Sequence, residues 1–159
     1  MKTVRSWMVG ISLLAGLLGA AALAPSTAHA QEVVALQSQG ISTVANALIQ
    51  FETATRWESM RPRWRQRRSA WISEVRAASS PQQLAALTVE LETIMTWQAM
   101  YPRWRQERPG WLARGRAAAS EHDVAQLLIA LEAATTWNAM FENRWRPVRA
   151  NWLATLRAV

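Results

Sequence analysis

The side chains best equipped for chemistry in this sequence are glutamates, arginines and tryptophans that return at fixed places. Glu52, Glu92 and Glu132 stand 40 residues apart. Each is followed by an arginine set between two tryptophans: Arg68 between Trp64 and Trp71, Arg108 between Trp104 and Trp111, Arg149 between Trp145 and Trp152. Each arginine sits four residues after its first tryptophan and three before its second, which places it inside an apolar helical stripe. A cation there needs a partner, because burying a lone charge is costly. The expectation is three Glu–Arg pairs, Glu52–Arg68, Glu92–Arg108 and Glu132–Arg149, flanked by indoles that offer cation–π contact. Such pairs are architecture. An arginine left unpaired would instead receive a ligand carboxylate or phosphate.

A second chemistry is anion binding by arginine in excess. "PRWRQ" occurs at 62–66 and 102–106, and "RWR" at 144–146. The first copy is the richest, with Arg61, Arg63, Arg65, Arg67 and Arg68 inside eight positions. Such a patch attracts polyanions: lipopolysaccharide or anionic lipid, acidic polysaccharide, extracellular DNA. The arginines flanking each tryptophan lie about 100° to either side on a helix, bordering the stripe with their heads in water.

Catalytic equipment is sparse. His122 is the one histidine after residue 30, and there is no cysteine. Glu121, His122 and Asp123 are contiguous and fan around a helix start rather than converging. The sequence has no Gly-rich phosphate loop, nucleophile elbow or clustered metal ligands. No cofactor and no metal are expected. An enzyme would require carboxylates brought together by folding.

The elements that position these residues follow from the repetition itself. Residues 41–80 and 81–120 agree at 16 of 40 positions, and 121–159 keep the same skeleton. A fixed period of this length signals stacked supersecondary units. Each unit reads as two helices. Leu84, Leu87, Leu91 and Ile94 have helical spacing in a first helix carried through to Met100. Ser80 as N-cap, Pro81 at the first helical position and Gln83 reaching back mark its start; Ser120 and Asp123 do the same for the third unit. Pro62 and Pro102 break the chain after each methionine. Second helices should begin near Arg63, Arg103 and Arg144, with Pro109-Gly110 kinking the middle one or delaying its start. Recurrence favours a core made of Trp57, Trp64, Trp71, Trp97, Trp104, Trp111, Trp137, Trp145 and Trp152, since a repeat buries the same face each time. An exposed platform for bases, sugars or lipid headgroups is the alternative. The expected fold is all-α: three tandem helical hairpins, 41–80, 81–120 and 121–159, forming a short α-solenoid or a compact helical bundle.

Before this domain comes a segment of another kind. Lys2 and Arg5 precede an apolar stretch from Trp7 to Leu23, then Ala28-His29-Ala30. That order is a secretory signal, residues 1–30, cleaved after Ala30, with 31–40 as a short lead-in. Export would place the remainder in a periplasm or outside the cell. It carries 16 arginines against 11 acidic residues, a net +5, with no lysine. By unit the net charge falls from +4 to +2 to zero. The expected function is an exported, non-enzymatic protein-interaction or scaffold module of the cell envelope, with an envelope protein or a second copy as partner. The alternative is a binder of anionic polymers or anionic membrane surfaces through 61–68. An enzyme or an envelope chaperone-like role stands behind both.

Overall fold

The structure, a computed structural model, describes residues 27–159. The basic start and apolar stretch of the expected signal lie outside the described residues. Six α-helices run in chain order: α1 Thr27–Ala54, α2 Trp64–Ala77, α3 Pro81–Ile94, α4 Trp104–Ala117, α5 Glu121–Ala134 and α6 Glu142–Arg157. The lead-in 31–40 is helical and continuous with α1. There are no strands among the described residues, only three isolated bridges.

Helices α1, α3 and α5 pack against one another and form the centre. Their inward residues include Val44, Leu48 and Phe51 from α1, Leu84 and Leu91 from α3, and Val124, Leu128 and Leu131 from α5, all buried. The other three helices lie outside, each across two central ones. Thus α2 sits on α1 and α3, α4 on α3 and α5, and α6 on α5 and α1. The last helix therefore closes on the first. This is a compact helical bundle, and the open α-solenoid is excluded.

Local sequence explains most boundaries. Ser80 accepts a hydrogen bond from Gln83 N, while the Gln83 amide oxygen reaches one residue further back, to Ser79 N. Ser120 and Asp123 form a full reciprocal capping box. Helices α2 and α4 begin at Trp64 and Trp104, as expected, whereas α6 begins early, at Glu142, where the extra residue lies. Pro109 neither delays nor ends α4. It removes only the bond to the Arg105 carbonyl, and both residues lie on the exposed side.

The first helices do not reach Met60, Met100 and Met140 as expected. They end at Ala54, Ile94 and Ala134. At two of these ends a threonine hydroxyl takes a late carbonyl: Thr55 donates to Phe51 O and Thr135 to Leu131 O. Short 3-10 turns, Trp57–Ser59, Trp97–Ala99 and Trp137–Ala139, follow. Their flanks pair with one another through Met60–Met95, Met100–Thr135 and Met140–Thr55 bridges. Backbone groups that would have been orphaned at the helix ends are thus satisfied by a neighbouring turn.

Candidate functional site

The Glu–Arg–Trp sets are built on the seam between a central helix and the outer helix that follows it. Glu52 is buried, only 3% exposed, near the end of α1. Arg68 on α2 grips it bidentately, Nε to Oε1 at 2.7 Å and an Nη to Oε2 at 2.8 Å. The Trp64 indole N–H adds a third bond to Oε1 at 2.9 Å. The same three bonds join Arg108 and Trp104 to Glu92, at 2.7, 2.8 and 2.9 Å. They join Arg149 and Trp145 to Glu132, at 2.5, 2.9 and 3.1 Å. The three expected pairs are therefore present within 41–80, 81–120 and 121–159. Each glutamate hydrogen-bonds its arginine and holds that guanidinium above its ordinary pKa, against the opposing pull of partial burial.

The second tryptophan of each outer helix does a different task. Trp71 donates to the Leu87 carbonyl on α3 at 3.1 Å, and Trp111 to Leu127 on α5 at 2.9 Å. Trp152 donates to Ala47 on α1 at 2.9 Å. Within each helix the two indoles meet edge to face, with centroids 5.1–5.4 Å apart. All six are buried with their N–H groups satisfied, which is what large amphipathic rings require in a core.

Three tryptophans do not belong to the core. Trp57, Trp97 and Trp137 are 40, 43 and 37% exposed. They ride on the 3-10 turns, outside the stripe that α2, α4 and α6 bury. Each has two guanidinium groups over its ring: Arg65 and Arg68 on Trp57, Arg105 and Arg108 on Trp97, Arg146 and Arg149 on Trp137, at 5.5–5.9 Å from the centroids. The expectation of nine core indoles is corrected to six core and three surface ones. Position in the turn before each methionine was the available signal; the expectation had carried the helix through it.

The arginine patch at 61–68 is also smaller than its composition implied. Arg68 is committed to Glu52. Arg67 bridges two carboxylates, Glu74 on its own helix and Glu90 on α3, with bonds of 2.5–3.0 Å. Those bonds raise the Arg67 pKa, and the Glu74 carboxyl is lowered by its bond to Arg67. Arg61, Arg63 and Arg65 are exposed, with no ion pair among the described residues. The folding of α3 against α2 supplies Glu90, a partner 23 residues away that no local pattern could reveal.

Elsewhere the surface is shaped but open. A groove of about 550 Å³ runs along α6, lined by Trp137, Arg146, Arg149, Ala150, Leu153 and Arg157. No group of three or more His, Cys, Asp or Glu among the described residues is arranged to hold a metal ion. His122 is exposed at the start of α5, beside Asp123, whose carboxyl is lowered chiefly by the Ala119 N–H and then by Ser120.

Residues 38–96 match the model of one protein family, described as Domain of unknown function (DUF8799). The match takes in the later part of α1, all of α2 and all of α3, and so contains one complete Glu–Arg–Trp set with the neighbouring helix that Trp71 bonds to. No curated protein and no solved structure matches the chain.

Proposed function

We propose that the protein is an exported, non-enzymatic scaffold of the cell envelope, built from three tandem helical hairpins closed into one rigid body. The observation that carries this reading is the fate of its conspicuous polar side chains. Glu52, Glu92 and Glu132, with Arg68, Arg108 and Arg149, are spent on bonds between helices. Trp71, Trp111 and Trp152 join each outer helix to the next central one, and the last of these returns to α1. Such a body keeps its shape without a ligand and offers its outer faces to partners. The N-terminal signal pattern supplies the export half of the proposal. Cross-linking in intact cells, followed by purification and mass spectrometry, tests it. A discrete envelope protein, or a second copy, should be joined to outer-face residues. Recovery from the cytoplasm with residues 1–30 retained would overturn the export half.

A second reading, binding of anionic polymers at 61–68, is favoured by the unpaired Arg61, Arg63 and Arg65. Its mark is affinity for heparin, DNA or anionic vesicles that falls steeply with salt. Affinity unchanged from low to high salt would remove it.

A further inference from the structure

The groove along α6 does not overlap residues 61–68 and has a composition of its own. Its two ends are the exposed indole of Trp137 and the exposed guanidinium of Arg157. Leu153 and Ala150 add the apolar part of its lining, and the guanidiniums of Arg146 and Arg149 lie over the Trp137 ring. These cations differ in what they have left to offer. Arg149 is held bidentately by buried Glu132, and Arg146 pairs with Glu142. Arg157 has no ion pair among the described residues. Its guanidinium is therefore the free fork of the groove, able to take a carboxylate or sulfate through two parallel bonds.

We propose that this groove binds an acidic saccharide, with a sugar ring over Ala150 and Leu153 beside the part of the Trp137 indole that Arg146 and Arg149 leave exposed, and its carboxylate or sulfate on Arg157. Three features select this ligand class. The volume, about 550 Å³, suits one or two rings rather than a duplex or a folded partner. The open mouth of the groove admits an internal unit of a chain as readily as a free oligosaccharide. The pairing of an apolar-aromatic floor with a single free fork matches a ring that has one hydrophobic face and one anionic group.

The same residue types recur at the corresponding positions of the other outer helices, though Leu112 and Arg116 also line a separate hollow against Gln82, Ala86 and Val89 of α3. Trp57, Arg65, Arg68, Ile72 and Arg76 on and beside α2 stand where Trp137, Arg146, Arg149, Leu153 and Arg157 stand at α6. On α4 the counterparts are Trp97, Arg105, Arg108, Leu112 and Arg116. In both, the first and last arginines are exposed and free of ion pairs among the described residues. Binding at all three positions would engage several units of a polymer at once and give avidity over a short fragment.

This proposal is independent of the scaffold reading, and it is separable from the 61–68 patch through Arg61 and Arg63, which stand at none of the three positions. The test is calorimetric titration of the purified protein with a uronic-acid tetrasaccharide, the corresponding long polymer, a neutral tetrasaccharide of the same length and a twelve-nucleotide single-stranded DNA. The expected result is binding of the acidic tetrasaccharide, tighter binding of the polymer and none of the neutral sugar. In a background that carries Arg76→Gln and Arg116→Gln at the corresponding positions of α2 and α4, adding Arg157→Gln should weaken binding about tenfold, the size of one charge-assisted bidentate contact. Because Arg157 is exposed and unpaired, that variant should unfold as the wild type does. Equal binding of neutral and acidic sugars overturns the proposal, as does binding of DNA alone. So does loss of sugar binding in Arg61→Gln/Arg63→Gln with none in Arg157→Gln, a result that would leave the patch reading standing.

Discussion

Trp152 donates its indole N–H to the backbone carbonyl of Ala47, 105 residues earlier in the chain, at 2.9 Å. The ends of the bundle are thereby joined by the same kind of bond that Trp71 and Trp111 make to Leu87 and Leu127. Phe51 packs on both Trp145 and Trp152 at 6.0 and 6.2 Å, so α1 and α6 share one core.

In an open array the last helix would be a dispensable cap. In the closed bundle Trp152→Ala should cost as much stability as Trp111→Ala, about 3–5 kcal/mol each. Chemical denaturation at constant pH measures both. A Trp152→Ala cost under about 1 kcal/mol would mean that α6 is not sealed onto α1 in solution.

The Glu–Arg pairs should respond unequally to loss of one partner. Arg68→Ala leaves buried Glu52 with no cation, only the Trp64 N–H and a long bond from the Thr53 hydroxyl, and should cost about 3–5 kcal/mol. Glu52→Gln keeps an acceptor for Trp64, and the part-exposed Arg68 turns to water, so the cost should be roughly half that. Paired unfolding curves decide the order; a larger loss in Glu52→Gln would contradict this account of the seam.

Core and surface tryptophans separate by truncation. Trp64→Ala opens a cavity in a fully buried site and should cost about 3–5 kcal/mol. Trp57→Ala removes a surface ring and two cation–π contacts worth about 0.5–1 kcal/mol each. Thermal unfolding should rank the two, with Trp57→Ala a few degrees below wild type and Trp64→Ala lower by about twice that or more.

Polyanion affinity, where it exists at 61–68, should depend on Arg61, Arg63 and Arg65 and hardly on Arg67. Glu74 and Glu90 already neutralise Arg67, and Arg67→Gln frees those carboxylates while deleting the cation. Each of the other three, changed to Gln, should lower the salt slope of DNA binding by about one. A salt-titrated affinity series with the four variants checks this.

Acid should loosen the start of α5. Asp123 accepts from Ala119 N, Ser120 N and the Ser120 hydroxyl, and its pKa is lowered from the ordinary 3.8. A carboxyl depressed in the folded state contributes stability that is fully present above its unfolded value and lost as pH falls through its folded value. Stability should therefore decline below about pH 4, and Asp123→Asn should flatten that decline while lowering stability at neutral pH. Denaturation midpoints from pH 2 to pH 7 provide the measurement.

Several features were legible from residue order alone. The Glu–Arg partners could be named because a cation inside an apolar stripe has few carboxylates to choose from, and only one recurred with it. The caps at Ser80 and Ser120 were legible because capping is a contact between residues three apart. Trp57, Trp97 and Trp137 were misplaced because spacing does not say where a helix ends when a threonine and a neighbouring turn satisfy its last carbonyls. Arg67 looked free because Glu90 lies on another helix.

By itself the sequence determined the all-α class, the helical stripes, the caps and the three ion pairs, since these rest on local periodicity and on the cost of an unpaired buried charge. Tertiary structure alone decided that α6 returns to α1 and that three of nine indoles face solvent. It also decided which arginines keep a free guanidinium. Those outcomes depend on how helices pack across 20 to 100 residues of chain, and packing of that range chooses partners that no local spacing encodes.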